Sequence, residues 1–353
     1  MFTYVGIDEA GYGPRFGPLV VARATLVIPN LPPFPDHDPP HLWQRLSKAV
    51  GRTLQGHRGR LVVADSKKLK TKAAGLRHLE LGCLAFAALS EQHPADVADW
   101  LDALGCDHHR NGQCPPWYAP APGSSRGSAD AHAGDSDPHP DPLPHPDAPW
   151  DPLPGSVTPG ELAIARNLLA STCRRIGVHC PGLAAGVVFE PDFNHRLKET
   201  HSKAAVSFEH VARHLHHAWR THGPHRPLVV VDRQGGRTDY RELLAMTVPD
   251  ASIAVLEQTP ERSRYELAAG DRAMHISFET EAEDRHMPVA LASMTAKYTR
   301  ELLMTRLNRY FTARVDGLQP SAGYGTDGNR FLNDLHPHLP RLGLQLHHLR
   351  RDA

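Results

Sequence analysis

The chain has few of the features that place a protein at a membrane or in an oxidising compartment. It contains five cysteines in 353 residues, an odd number without a tight framework, which favours a reducing cytoplasm over a disulfide-stabilised fold. A long uncharged apolar run is absent, so no membrane-spanning helix is predicted. The N-terminus enters an apolar segment that ends in acids, unlike a signal peptide. The length suits one large domain or two small ones.

An excess of positive charge is also absent. Lys+Arg and Asp+Glu are equal at 39 each, so the chain has no global basic field. Sequence-independent attraction to nucleic acid would have to come from local patches. This balance argues against a protein whose main function is to coat nucleic acid.

The most informative stretch is residues 1–18, MFTYVGIDEAGYGPRFGP. Its apolar start predicts a short buried strand that ends at Asp8 and Glu9. Adjacent side chains on a strand point to opposite faces. If both acids serve one site, we expect the chain to bend at Asp8–Glu9, which Gly11 and Gly13 permit. The simpler alternative is a strand that ends in a solvated Asp-Glu turn.

The glycines of this stretch superficially match another kind of site. Gly11, Gly13 and Gly17 resemble a dinucleotide-binding loop, but their spacing is G-x-G-x-x-x-G and Pro14 interrupts it. The preceding carboxylates would repel a pyrophosphate unless metals intervened. We therefore set aside an oxidoreductase function.

Strand and helix patterns alternate along most of the remaining chain, which predicts an α/β fold. Strands are predicted at 19–29, 60–64, 183–189, 227–231 and 251–257, with a hairpin over 262–282 that turns near 269–271. Helices are predicted at 74–92, 95–104, 158–176, 203–219 and 290–311, and a short one is capped near Thr326 or Asp327. The helix at 158–176 carries a capping box of Thr158 and Glu161. The basic C-terminal tail is expected to fray.

Residues 106–156 break this pattern with a composition rich in Pro, His, Asp and Gly. Such a segment buries too little apolar area to offset its ordering entropy, so we predict a disordered surface insertion. It holds metal-ligand residue types at Cys106, His108, His109 and Cys114, although their spacing fits no common zinc template. A metal site and a flexible loop both remain open.

Candidate binding residues lie where the predicted elements end or expose a polar stripe. Asp65-Ser66-Lys67-Lys68 follows a strand and presents ammonium groups beside a carboxylate, either to grip phosphate or as a solvated turn. Asp232 follows the strand at 227–231, at the end where ligands bind in α/β sheets. Ser293, Lys297 and Arg300 form a polar stripe on an otherwise apolar helix, and this stripe either binds or merely faces solvent.

Taken together, these motifs resemble the type 2 ribonuclease H family, the bacterial ribonucleases HII and HIII. The motifs appear in the family's order as GIDEAGYGPRFGP (6–18), DSKKL (65–69), VVVD (229–232), ASMTAKYTRELLM (292–304) and GYGT (323–326). The resemblance covers most of the chain except about 95–160 and the last few residues. It implies a single ribonuclease H-like domain over 1–353, interrupted at about 106–156, with a mixed sheet of about five strands between helices and a helical C-terminal part over 288–353.

The resemblance also implies a two-metal site that uses Mg²⁺ or Mn²⁺. The family's acidic ligands fall on Asp8, Glu9, Asp232 and Glu283, and Asp284 is the alternative for the fourth. These residues would be both catalytic and metal-binding. The substrate-binding positions implied by the resemblance are Gly11, Tyr12, Gly13, Lys67, Lys68, Ser293, Lys297, Arg300 and Tyr324.

The implied function is hydrolysis of the RNA strand of RNA–DNA hybrids, or cleavage of DNA containing ribonucleotides, by a cytoplasmic protein that we expect to be a monomer. The chain also departs from the family pattern. Tyr12 stands where ribonuclease HII has an arginine, Ala322 replaces a lysine before GYGT, and the Arg-Asp pair is Arg300-Glu301. The alternative is a catalytically impaired protein that binds nucleic acid without turnover.

Overall fold

A computed structural model describes residues 1–57, 59–71, 73–106, 114–119, 150–233 and 235–352. The strands in these ranges are β1 (Phe2–Ala10), β2 (Leu19–Ile28), β3 (Val50–Gly51), β4 (Leu61–Val62), β5 (His179–Val188), β6 (Leu228–Asp232), β7 (Ser252–Gln258), β8 (Arg262–Ala269) and β9 (Arg272–Glu279). The helices are α1 (Leu42–Arg45), α2 (Ser66–Leu69), α3 (Arg77–Ala87), α4 (Val97–Ala103), α5 (Pro159–Ile176), α6 (Glu190–Thr200), α7 (Lys203–His222), α8 (Arg241–Thr247), α9 (Met287–Thr312) and α10 (Gly325–Leu335).

A mixed sheet forms the centre of the fold, with strand order β5-β2-β1-β6-β9-β8-β7. β1 pairs antiparallel with β2 and parallel with β6, and β6 pairs parallel with β9. This arrangement confirms the predicted α/β class with a mixed central sheet and a helical C-terminal part. The sheet is wider than the expected five strands because the predicted hairpin, β8–β9, and its neighbour β7 extend one edge.

Each face of the sheet is covered by its own apolar core. One core joins β1 and β2 to α3 and α9, and the other joins the opposite face to α7 and α8. Gly6 allows α9 to begin close against β1, since an added Cβ would meet the backbone of Pro288 and Val289. This contact fixes the start of α9, and with it the 3₁₀ turn Ala282–Asp284, beside the carboxyl end of β1.

A local signal accounts for the start of α5. Thr158 Oγ1 accepts a hydrogen bond from Glu161 N at 3.2 Å, and Thr158 N donates to Glu161 Oε2 at 2.9 Å, which confirms the predicted capping box of α5. α10 begins earlier than expected, because Tyr324 is its N-cap. None of the helices in the described ranges combines the length and apolar character needed to cross a membrane.

Both described ends of the predicted insertion pack against the core. Trp117 and Tyr118 are buried, and Tyr118 Oη donates to Glu190 Oε1 at 2.8 Å. At the other end, the Glu80 carboxylate accepts backbone hydrogen bonds from residues 155, 156 and 157. The expectation of a surface segment is therefore wrong for these residues. Two buried aromatic rings anchor one end, and hydrogen bonds to the Glu80 carboxylate anchor the other.

The proposed metal-ligand types in the insertion divide into two groups. Cys106 is buried and its Sγ donates to the Ala185 carbonyl at 3.0 Å, and burial raises the pKa of the Cys114 thiol to about 12. His108 and His109 lie outside the described residues. A metal site at these four positions stays a prediction.

The C-terminal tail does not fray as expected. Arg351 is 1% exposed and its guanidinium donates to the carbonyls of Gly11, at 2.5 Å, and Gly17. Its guanidinium also lies 4.6 Å from the centre of the Phe193 ring. The end of the chain therefore packs against the glycine-rich turn that follows β1.

Candidate functional site

The predicted bend at Asp8–Glu9 is wrong. β1 stays paired with β2 through both acids, with Asp8 opposite Ala22 and Glu9 opposite Val21. Pairing continues because the partner strand is apolar on both faces at this point, and the chain turns only at Gly11, where φ is +89°. The two acids therefore follow strand alternation, and Asp8 faces α9, where it is hydrogen-bonded to Ser293.

Asp8 and Asp232 lie side by side at the carboxyl edge of two parallel strands. Ile7 of β1 pairs with Val231 of β6, so the next residue on each strand is an acid. Neighbouring strands are about 4.8 Å apart, which is close enough for two carboxylates to repel each other. These residues are separated by more than two hundred positions in the chain, so their proximity is a property of the fold.

Glu283 completes this group from the 3₁₀ turn that leads into α9. The turn is fixed at the end of β6 because Ala282 N donates to Asp232 Oδ1 at 3.0 Å. Glu283 raises the pKa values of both Asp8 and Asp232 by charge repulsion. The structure thus brings together the first, third and fourth predicted acids, and Glu9 acts on Asp8 from the adjacent position.

Burial and crowding make the ionised forms of these acids costly. Burial, followed by the charge of Glu9, raises the pKa of Asp8 well above its ordinary value. Burial, followed by Asp8 and Glu283, raises the pKa of Asp232 to about 8. Raised carboxyl pKa values caused by burial and like charges are typical of functional clusters.

The neighbouring acid Asp284 lies in a different environment. Its carboxylate pairs with the Lys68 ammonium at 2.8 Å, and both side chains are well exposed. Asp284 is not among the groups that shift the pKa of Asp8 or Asp232. The geometry therefore favours Glu283 as the fourth acid of the group.

The donor set suits a hard divalent cation in its chemistry, because the cluster consists of carboxylate oxygens. Glu283 Oε2 is buried and has no hydrogen-bond partner in the described structure. However, no three His, Cys, Asp or Glu side chains of the described residues are arranged as a ready metal-ligand group. The residues thus fit a hard divalent cation by chemical type and by location. As they stand, the described side chains do not form a metal-ligand group.

Buried charged groups support the glycine-rich turn after β1 through hydrogen bonds to its backbone. Arg300 is fully buried, and its guanidinium donates to the carbonyls of Phe16, Pro18 and Ala322, at 3.4, 3.2 and 3.0 Å. A Cβ on Gly11 would lie 2.7 Å from Arg300 Nε. Arg300 thus supports both the turn after β1 and the turn before α10, which favours a positioning function. Its assignment as a substrate contact stays a prediction.

The other predicted substrate-binding residues surround the acid group at different depths. Ser293 is buried and its hydroxyl donates to Ser66 Oγ at 3.0 Å. Burial lowers the pKa of Lys67, but the charges of Asp65, Glu283, Asp8 and Asp232 outweigh it and raise the pKa, so Lys67 lies within the field of the cluster. Lys297 pairs with Glu301 at 2.8 Å, and Glu301 also pairs with Lys70.

Two aromatic residues flank this region. Tyr324 is 41% exposed, with the guanidinium of Arg300 5.0 Å and the ammonium of Lys297 5.9 Å from its ring centre. Burial, followed by the charge of Glu9, raises the pKa of Tyr12, which places its hydroxyl near that acid. Gly13 is exposed and open, since an added Cβ would meet no atom within 4 Å. Their substrate contacts stay predictions.

Comparisons with known proteins give only distant likenesses. No protein-family model matches the chain, and neither does any curated protein. Among solved structures, ribonuclease HII from Archaeoglobus fulgidus, solved in a complex with PCNA, is similar at 14% identity with a TM-score of 0.39, over 99% of this chain and 95% of that one. Bst-RNase HIII in complex with Mn²⁺ is similar at 14% identity with a TM-score of 0.42, over 99% and 66% of the two chains.

Ribonuclease H2 from Pyrococcus horikoshii OT3 is similar at 14% identity with a TM-score of 0.38, over 100% of this chain and 94% of that one. At this distance none of these likenesses carries an assignment.

Three supporting residues were not expected from the sequence. Glu190 is fully buried and accepts from Gly17 N at 2.8 Å, and Arg351 holds the same turn from the C-terminus. Glu279 pairs with Asp232 across β6 and β9, but Arg285 and His286 bind its carboxylate at 3.0 and 3.1 Å. In the sequence, the strand-like pattern of residues 275–279 is the signal that could have indicated a buried Glu279. Arg351 has no such signal, because it lies in a basic tail that resembles a solvated segment.

Proposed function

We propose that the protein is a metal-dependent endonuclease that hydrolyses the RNA strand of RNA–DNA hybrids. The observation that carries this proposal is the convergence of Asp8, Asp232 and Glu283 at one edge of the sheet, where Glu283 raises the pKa of both aspartates and Asp8 raises that of Asp232. The motif resemblance to type 2 ribonucleases H supports the same conclusion, because its acidic positions coincide with this group. Glu9 is the remaining proposed ligand, although strand alternation directs its side chain to the other face of β1, so it would have to reach the ions around the end of the strand.

The proposed cofactor is a pair of Mg²⁺ or Mn²⁺ ions, held by Asp8, Glu9, Asp232 and Glu283. When bound, such ions activate a water and stabilise the leaving 3′ oxygen. The four acids would bind the metal ions as ionised carboxylates. Hydrolysis would leave a 3′-hydroxyl and a 5′-phosphate, and no nucleophilic side chain is required.

The chain's own residues would select and orient the substrate. The backbone amides of residues 11–13 are the proposed contacts of the ribose 2′-hydroxyl, the group that distinguishes RNA from DNA. Lys67 and Lys68 would bind flanking phosphates on one side of the acids, and Lys297 on the other. Tyr324 would stack on a sugar or base beside the cleavage point, with Arg300 fixing the turn that presents it.

The test is cleavage of a fluorescent RNA–DNA hybrid in Mg²⁺ or Mn²⁺, compared with a DNA duplex that holds one ribonucleotide. Cleavage of either substrate by the wild type, abolished in Asp8→Asn with its melting curve largely unchanged, is the expected result. Asp284→Asn is the matched control, since it removes an adjacent carboxylate outside the group. Retained activity in Asp8→Asn would refute the site.

A second candidate is a protein that binds nucleic acid without turnover. The lack of a ready metal-ligand group among the described residues favours it, as does Tyr12 in place of the family's arginine. Gel retardation of the hybrid without cleavage in either metal would support this alternative. The monomeric state and the cytoplasmic location stay predictions.

A further inference from the structure

A second charged site lies on the opposite face of the sheet from the acids. Arg23 is on β2, opposite Ile7 of β1 and Ala184 of β5. Strand alternation directs it toward α7, whereas Asp8 faces α9. The sheet therefore separates the Arg23 side chain from the proposed catalytic group.

Arg23 is a buried cation without a partner in the described structure. The residue is 8% exposed, and its Nε is buried without a hydrogen-bond partner. None of the described carboxylates forms an ion pair with it. Burial lowers its pKa to about 10, and no carboxylate of the described residues is among the causes that act on this pKa. An unpaired buried guanidinium is costly, so its retention points to a partner that comes from outside the fold.

The side chain lines a cleft of about 540 Å³ between β2, β5, α4 and α7. Further cationic or imidazole groups line the same cleft: Arg213, His210, His214 and His217. His214 Nε2 donates to the Val21 carbonyl at 3.1 Å, which fixes its ring at the wall. Among the described residues that line the cleft, Asp102 is the one acid, against the two arginines Arg23 and Arg213.

The field inside the cleft acts on the histidines. Burial, followed by the charge of Arg23, lowers the pKa of His214 to about 3 and that of His217 to about 4. These imidazoles are therefore neutral at pH 7 while Arg23 is uncompensated. A bound anion would offset the Arg23 charge and raise the histidine pKa values.

We propose that this cleft binds a phosphate-type oxyanion, with Arg23 as its main charge partner and Arg213 and His217 as further donors. The planar guanidinium fork matches phosphate oxygens in a bidentate geometry. Donors that approach from β2 and from α7 suit a tetrahedral anion, which presents oxygens in several directions. The site takes either free phosphate or the phosphate of a small phosphomonoester, and it does not depend on the nuclease proposal.

The test is calorimetric titration of the full chain, free of divalent metal and nucleic acid, with inorganic phosphate and with adenosine 5′-monophosphate. Wild type should bind at least one of them, and Arg23→Met should bind at least tenfold more weakly. Arg220→Gln is the matched control, because Arg220 is an exposed arginine of α7 that does not line the cleft. Tighter binding of the monophosphate would assign a phosphomonoester as the ligand, and equal or tighter binding of phosphate would assign the free anion.

A second measurement covers the case in which Arg23→Met fails to fold. The His217 pKa of the wild type, followed by NMR, should rise when the anion is added, because the anion offsets the Arg23 charge. Absence of binding to the wild type at millimolar concentrations, unchanged affinity in Arg23→Met, or an unmoved His217 pKa at saturating anion would overturn the proposal.

Discussion

Replacing Asp232 by Asn should stabilise the metal-free protein and remove its response to metal. The substitution keeps the size of the side chain and an oxygen that accepts from Ala282 N, while it removes a carboxylate that Asp8 and Glu283 repel. The expected gain depends on pH. Between pH 3.8 and about 8, the folded protein holds a proton on Asp232 that the unfolded chain releases, so the wild-type free energy of unfolding falls as pH rises through this range.

The size of the effect follows from the pKa. A rise from 3.8 to about 8, at about 1.4 kcal/mol per unit, corresponds to an upper limit of roughly 6 kcal/mol for ionising Asp232 in the folded state. Asp8 and Asp232 titrate as a pair and share this cost. We therefore expect Asp232→Asn to gain about 2–4 kcal/mol above pH 8, or on the order of 3–5 °C in melting temperature for a chain of this length.

The assay is thermal unfolding in chelator from pH 4 to pH 9, repeated with Mn²⁺. The Asn variant should melt above the wild type at pH 8–9 and close to it near pH 4, and Mn²⁺ should raise the melting temperature of the wild type more than that of the variant. Asp284→Asn, which removes an exposed carboxylate paired with Lys68, should gain nothing at high pH. An Asp232→Asn variant that is destabilised at all pH values would refute the argument that these acids are crowded.

Other perturbations test the turns around the site. Tyr324→Ala should weaken binding of the hybrid by about 1–3 kcal/mol in gel retardation, with little change in melting temperature because the ring is half exposed; unchanged binding would contradict the stacking contact. Gly11→Ala should destabilise the fold by about 1 kcal/mol or more, since φ is +89° and the new Cβ would approach the Pro18 carbonyl; a neutral result in denaturant unfolding would contradict the geometry. Arg351→Met should cost about 1–3 kcal/mol or more in the same measurement, because it leaves the buried carbonyls of Gly11 and Gly17 without their donor; Arg350→Met is the exposed control.

The sequence predicted most strands and helices because their signals are local. The alternating apolar pattern, the Gly-Asp turn of the β8–β9 hairpin and the Thr158 capping box each act within a few residues, and all are present in the structure. What sequence reasoning missed depends on contacts between distant segments. The burial of Arg351 depends on Gly11 and Gly17, more than three hundred positions away, and a basic tail alone gives no sign of it.

The candidate site also combines features that have local signals in the sequence with features that depend on contacts between distant segments. The positions of Asp8 and Asp232 at strand ends followed from local patterns, and their neighbourhood followed from parallel pairing of β1 and β6. The bend expected at Asp8–Glu9 was wrong because pairing with β2 outweighs the local flexibility of the glycines. The burial of Arg300 also could not be read from helical spacing, since a polar stripe looks the same whether it faces solvent or the backbone of a turn.

The most direct test of the central claim is anomalous diffraction from a crystal soaked in Mn²⁺. We expect manganese peaks at the carboxyl edge of β1 and β6, coordinated by Asp8, Asp232 and Glu283. A crystal at saturating Mn²⁺ with no peak at this edge, or with peaks only at other surface carboxylates, would contradict the proposed metal site.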